Sequence, residues 1–417
     1  MTYARTASWL RGRLWIGWPV GAFAWVVWVG SLAVGGWEYD AEGTLIGVDH
    51  LAFYSAARHV LEGTAGDMYS YDKLGVYQGT LIGRPDWGML VGYRNPPFYA
   101  LLYLPTAGLP FVASNLVWMA VGVGVMAAAV HLLRPDRPWR AVLWSLTFFP
   151  VFAAVSFGQN SLLSLGVFAA VYRLAAGGRP LAAGLVAGLL WFKPPLLIGL
   201  FVWWGLDPRR HARSWAGVVL MGAFLAAVSW LAVPDGSRAF VTSLRANVGY
   251  GGEWGWNKQS PRAFWTLLLT DAPAAVTWGL TGLTALAGLA VAAWVARRTG
   301  APSAVMFPAA VFLSLWLSPH VLVYEWAVLV PAAVVLWREF PDRRDAWLCL
   351  SAAGWLALLV GTPLAKLQIE HLPPGPVVQV SVPLMGFVGW RVARELVAAR
   401  AADDPDRPPD DHPDRSR

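Results

Sequence analysis

Long apolar segments recur from one end of this 417-residue chain to the other. Most are long enough to cross about 30 Å of hydrocarbon as helices. That repetition constrains the fold more than any other feature. It predicts an all-α polytopic transmembrane bundle. The composition agrees, with 57% hydrophobic and only 14% charged residues, where soluble domains carry about 25% charge. Proline is frequent within and beside the runs, which membrane bundles tolerate better than soluble helices do.

The predicted spans are 14–36, 112–133, 139–156, 160–176, 180–192, 194–206, 214–233, 272–296, 303–317, 321–337, 346–361 and 376–392, about twelve in all. The first is too long and too evenly apolar for a signal-peptide core, so it reads as a retained helix. Pro194 and Pro195 interrupt one apolar run, so 180–192 and 194–206 read either as two spans or as one broken helix. Residues 98–110 are apolar but short and broken by Pro105 and Pro110. A non-crossing reading of that stretch puts Arg134, Arg137 and Arg140 in the cytoplasm. The same side then holds the N-terminal arginines and the basic loops near 207–213, 297–298 and 338–344, which satisfies the positive-inside rule.

This divides the chain into a membrane domain, 1–400, and a tail, 401–417, rich in Asp, Arg and Pro and expected to be disordered in the cytoplasm. The first outer loop, 37–97, is long and polar. The formal net charge of +7 is carried mostly by short loops and reads as topology rather than nucleic-acid binding. The single cysteine, Cys349, excludes an internal disulfide and any cysteine cluster for metal. No glycine-rich phosphate loop, zinc motif or well-spaced His/Asp metal set appears, so neither a cofactor nor a resident metal is expected.

Under this topology the polar residues that stand out gather at the outer face. Asp49 and His50 open a short amphipathic helix expected to lie along the membrane surface, with Tyr54 one turn on. Asp49 suits either an N-cap or a general base, and the two readings are compatible. Arg94 and Asn95 precede Pro96-Pro97, where a cation also suits lipid headgroups. Gln159 and Asn160, in Gly158-Gln159-Asn160-Ser161, serve equally as a helix connection. Lys193 is the only charge between Leu181 and Leu206. A lysine at membrane depth needs water or an anion, or must snorkel to an interface. Lys258 follows Glu253-Trp254-Gly255-Trp256-Asn257, where the two tryptophans suit a sugar or prenyl contact. His320 ends a helix after Ser318-Pro319. It suits a hydrogen bond within its loop or one to a phosphate. Glu325 falls inside the next apolar run and should face the bundle interior.

In order along the chain come Asp49 with Phe53-Tyr54-x-Ala56-Ala57, then Tyr93-x-Asn95-Pro96-Pro97-Phe98, and then Gly158-Gln159-Asn160-Ser161. Gly178-Arg179-Pro180 through Gly184 and Gly188 to Lys193-Pro194 follows, and Ser318-Pro319-His320 with Tyr324-Glu325 closes the series. Together these resemble glycosyltransferase family 87, a branch of the C-type membrane glycosyltransferases that includes polyprenyl-phosphate-mannose-dependent mannosyltransferases. Two positions depart from the family pattern. Asn95 stands before the Pro-Pro pair and His50 after Asp49, where the family commonly has aromatics. The resemblance implies a bundle of about a dozen helices with a catalytic first outer loop. It implies Asp49 as the catalytic base, with Lys193 and His320 near the lipid phosphate.

The expectation is a bacterial plasma-membrane hexosyltransferase with both termini cytoplasmic. It would move a sugar, mannose on the resemblance, from a polyprenyl phosphate donor to an extracytoplasmic glycolipid or glycan acceptor, with inversion. Membrane lipids are its other expected partners. The rival reading is a transporter or flippase of an anionic lipid-linked substrate, using the same cations as contacts.

Overall fold

The computed structural model describes residues 3–245 and 255–402, except the side chain of Arg245. Glu253 and Trp254 of the tryptophan-bearing loop, and the tail from 403 onward, lie outside the described residues.

The chain is all-helical. Five helices are individually long and apolar enough to cross a membrane: Leu14–Val34, Phe111–Leu132, Ala212–Ala232, Ala274–Thr299 and the one ending at His371. A sixth is made if Pro138–Thr147 and Phe149–Ser156, bent by 72°, form one span. That is fewer than the dozen predicted, because Ser161–Ala176, Pro180–Phe192, Pro194–Gly205 and Ser303–Trp316 are apolar but short. The Leu14–Val34 helix buries only Gly21 and Leu32. An apolar helix exposed almost all round requires hydrocarbon around it.

Register fixes which ends meet. Gly184 lies on the Ser214 backbone, Gly188 on Met221 and Trp191 on Gly222. Pro180–Gly188 and Ala212–Ala232 therefore run parallel, and the segment between them must turn back. Lys193 sits at that turn. From Pro180 to Phe192 the chain has nine α-helical and four 3₁₀ residues, a rise of about 21 Å and short of a full crossing. The turn is thus a hairpin tip.

Three of the arginine-bearing segments, the N-terminal one and those near 133–137 and 338–345, meet at one end. Arg344 pairs with Asp136 at 2.7 Å, Arg11 with Asp345 at 2.5 Å, and Arg338 donates to the Leu133 carbonyl at 2.7 Å. The Asp49 region is at the other end of Phe111–Leu132, whose 22 residues separate the two by about 33 Å.

The segment 98–110 forms two short helices, Pro97–Leu101 and Leu104–Ala107, far too short to cross. It stays at the Asp49 end, where the Leu109 carbonyl accepts from the Tyr54 hydroxyl and the Ala107 carbonyl from Arg58. The helix after Asp49, His50–Leu61, differs from expectation. It does not float on a surface, because nine of its residues are buried under the 71–81, 97–107 and 111–132 helices.

Candidate active site

Two glycines bring Asp49 to its partners. Gly47 (φ +61°) and Gly158 (φ +70°) adopt the left-handed conformation that glycine accepts without strain. A Cβ on Gly158 would stand 2.7 Å from that of His50, and one on Gly47 would strike Asn115. The strandless loop therefore closes onto the 156–158 turn. Gly47 N–H donates to Ser156 O at 3.2 Å and Asp49 N–H to Phe157 O at 2.9 Å.

Asp49 occupies the N-cap position of His50–Leu61 yet makes no side-chain capping bond. Its carboxylate instead accepts from Gln159 Nε2 at 2.9 Å, and the same amide nitrogen lies 3.0 Å from the Tyr324 hydroxyl. The capping reading is thus set aside by geometry. Gln159 thus orients the half-buried carboxylate.

Lys193 is fixed by the proline break. Pro194 and Pro195 have no N–H, so the Phe192 carbonyl lacks a helical donor. Asn95 Nδ2 supplies one at 2.8 Å. The turn then aims Lys193 inward, where Nζ meets Glu325 Oε1 at 2.7 Å and Asn160 Oδ1 at 3.3 Å, with the Tyr324 ring 5.6 Å away. The other Glu325 oxygen accepts from Leu322 N–H at 3.1 Å. The lone charge in the apolar run therefore has a protein anion as partner. It is neither snorkelled nor bare.

A third group surrounds His320. Segment 257–260 is stitched to 319–323: Gln259 N–H donates to Val321 O at 2.7 Å, Ser260 Oγ to Pro319 O at 2.9 Å, and Val323 N–H to Asn257 Oδ1 at 3.4 Å. This places Lys258 and Arg262 beside His320, and Arg262 Nη1 lies 3.2 Å from His320 Nε2. Burial, and then the charges of Arg262, Lys258 and Arg94, push the His320 imidazole down from 6.5 to about 4. Its ring is therefore neutral at pH 7 and accepts from Arg262. Arg262 also lies over the Trp278 ring at 4.2 Å. Sequence reasoning missed Arg262. Its signal was position, since a cation in the first turn of Pro261–Leu268 opposes the helix dipole unless an anion comes there.

The structure thus brings together Asp49, Gln159, Asn160, Lys193 and Glu325, links them through Tyr324, and sets Arg94, Lys258 and His320 around the neighbouring loop. Asn95 positions the Lys193 turn. His50 and Tyr54, expected as substrate contacts, have their side chains engaged elsewhere. His50 is fully buried, with Nε2 3.0 Å from Ser114 Oγ and its ring against Tyr103 and Phe111. Burial lowers its pKa to about 3. Tyr54 is tied to Leu109. Trp256 faces the Lys366 ammonium at 5.7 Å. A small cavity of about 20 Å³ touches Gln159 and Asn160, room for about one water. Among the described residues no three His, Cys, Asp or Glu side chains gather as metal ligands.

Fold and site define an all-helical integral membrane protein whose polar machinery is a carboxylate beside a cluster of cations. The sequence profile of glycosyltransferase family 87 matches residues 93–319, more than half of the chain, and the chain belongs to that C-type glycosyltransferase family. The matched region contains Arg94 through Arg262, while Asp49 precedes it and His320 follows it directly. Two curated relatives carry the same name, polyprenol-phosphate-mannose-dependent alpha-(1-2)-phosphatidylinositol pentamannoside mannosyltransferase. The one from Mycobacterium tuberculosis (strain CDC 1551 / Oshkosh) is 27% identical over 308 residues, 69% of each chain. The one from Mycolicibacterium smegmatis (strain ATCC 700084 / mc(2)155) is 28% identical over 353 residues, 80% of each chain. No solved structure matches.

Proposed function

We propose that this glycosyltransferase transfers mannose from a polyprenyl-phosphate donor to an extracytoplasmic mannolipid acceptor, with inversion, and that Asp49 is its general base. The observation that carries this reading is the Asp49 carboxylate held by Gln159 rather than by its own helix. The relatives' names supply the sugar, the donor class and the phosphatidylinositol-mannoside type of acceptor. Asp49 would take the acceptor hydroxyl proton as the oxygen attacks the anomeric carbon, and the glycosyl–phosphate bond breaks on the opposite face. The departing phosphate gains charge as that bond opens. Arg94, Lys258 and Arg262 would stabilise it, with His320 fixing Arg262.

The basic end would face the cytoplasm, by the distribution of arginine, and the Asp49 end the outside. The four short apolar helices, with 323–339 and 381–402, would complete about a dozen traverses. Their shortness would recess the site between the membrane faces, where a lipid-borne phosphate and a lipid-borne acceptor both arrive. The transporter reading shares the cations but gives a base no task, and family membership weighs against it.

The test is transfer of labelled mannose from polyprenyl-phosphate mannose to phosphatidylinositol mannosides in membranes containing the protein. Asp49→Asn should lose about 10²–10⁴-fold in rate with donor binding retained. Near-normal transfer by that variant at equal protein level would remove Asp49 as the base.

A further inference from the structure

A cavity of about 1340 Å³ opens among the arginines of the basic end, at Arg13, Arg137, Arg140 and Arg344, and runs into the bundle as far as Trp316. It separates the Leu14–Val34 helix from the helices of residues 274–402, and its walls are apolar, with Trp144, Phe312, Trp347 and Trp390 prominent. Along the Arg344–His371 helix its lining runs from Arg344 to Leu356, a depth of about 18 Å. That is close to one leaflet of a hydrocarbon core about 30 Å thick.

The rim is cationic. Arg13, Arg137 and Arg140 stand there, all exposed. Arg344 is also on the rim but is committed to Asp136. Arg13 lies over the Trp9 ring at 4.4 Å. Among the described residues, no ion pair joins Arg13, Arg137 or Arg140 to a carboxylate. Three unpaired arginines at headgroup level, above an apolar slot one leaflet deep, select an anionic lipid by charge and a chain by length.

We propose that this cavity binds an anionic phospholipid of the leaflet at the basic end, with its acyl chain in the slot and its phosphate at Arg13, Arg137 and Arg140. The lipid serves as a structural wedge. It fills the side of the Leu14–Val34 helix left open by that helix's packing on Trp144, Leu146 and Phe152, and so steadies the helix that leads into the Asp49 loop. The donor is a poor occupant, because its phosphate belongs with Arg94, Lys258 and Arg262 at the opposite end and its chain exceeds one leaflet.

Native mass spectrometry of the full-length protein, released from detergent with phosphatidylglycerol, phosphatidylcholine, polyprenyl phosphate or inorganic phosphate, tests this. One phosphatidylglycerol should be retained, at least about tenfold more tightly than phosphatidylcholine, and inorganic phosphate should not displace it. Arg137→Gln with Arg140→Gln should reduce it to the phosphatidylcholine level. Ala333→Phe, which fills the slot and spares the rim, should weaken both phospholipids. The variants act at different places, so misfolding of one leaves the other decisive. Equal retention of the two phospholipids, full binding in either variant, or displacement by polyprenyl phosphate or inorganic phosphate would each overturn the proposal.

Discussion

Replacing Lys193 with Met should destabilise the protein more than the removal of one side chain suggests. Lys193 and Glu325 meet at 2.7 Å, with side-chain exposures of 20% and 7%. Removing one member of a buried pair leaves the other charge uncompensated, at about 3–5 kcal/mol. The residual exposure of the lysine and the Leu322 N–H on Glu325 reduce this to about 2–4 kcal/mol. Replacing both residues with apolar ones removes the orphan, so Lys193→Met with Glu325→Leu should lie within about 1 kcal/mol of the parent. The expected coupling is about 2–3 kcal/mol. Denaturant unfolding in detergent of the parent, both single variants and the double variant gives the full cycle. If Lys193→Met unfolds with the parent, or the two single effects simply add, the pair does not hold the hairpin tip and the lysine is available for a ligand.

Other outcomes follow from the same geometry. Arg262→Gln should raise the KM for the donor about tenfold or more with a smaller fall in kcat if Arg262 meets donor phosphate in the ground state; an unchanged KM would move it out of the site. His320 takes up its proton near 6.5 when unfolded and near 4 when folded. The unfolded state therefore binds more protons between those values, and stability should fall as pH falls from about 6.5 to about 4. His320→Gln should flatten that part of the stability–pH profile, although His50, lowered to about 3, leaves a parallel slope; identical profiles would show that His320 is not held neutral. With Cys349 replaced by Ala, an impermeant thiol reagent added outside intact cells should label Asp72→Cys and spare Arg137→Cys; the reverse pattern would invert the orientation.

The membrane class, the lone lysine of its apolar run and the grouping of polar residues at one end were legible because each depends on local pattern. Apolar run length, the Pro194-Pro195 break and loop arginines are all readable within a few residues. The partners were not. Gln159 meets Asp49 from 110 residues away, and nothing in either motif says that the carboxylate will leave its own helix for that amide. Glu325 was expected in the bundle interior and is there, but its pairing with Lys193 depends on two turns meeting. Asn95 was expected as a substrate contact, and its hydrogen bond to the Phe192 carbonyl, in place of an N–H that Pro195 cannot supply, was not foreseen. For His50 and Tyr54, helical spacing places residues on a face without saying whether that face meets ligand, lipid or another helix.

The cations at the Asp49 end differ in kind, and the difference bears on how phosphate would be handled. Lys193 is neutralised by Glu325 and braced by Asn160, so an arriving anion gains little from it unless that pair opens. Arg262 faces a histidine kept neutral by burial and by three neighbouring cations, and a neutral imidazole orients the guanidinium without cancelling its charge. Arg262 therefore keeps its charge beside His320, whereas the charge of Lys193 at the hairpin tip is matched by Glu325. Asp49 is joined to the tip through Gln159, whose amide also meets the Tyr324 hydroxyl. A general base acts in its ionised form, and its basicity is set by the charges and hydrogen bonds around it. Under the proposed mechanism the Gln159 amide and the Tyr324 phenol stand between the Asp49 carboxylate and Lys193, whose own charge is matched by Glu325.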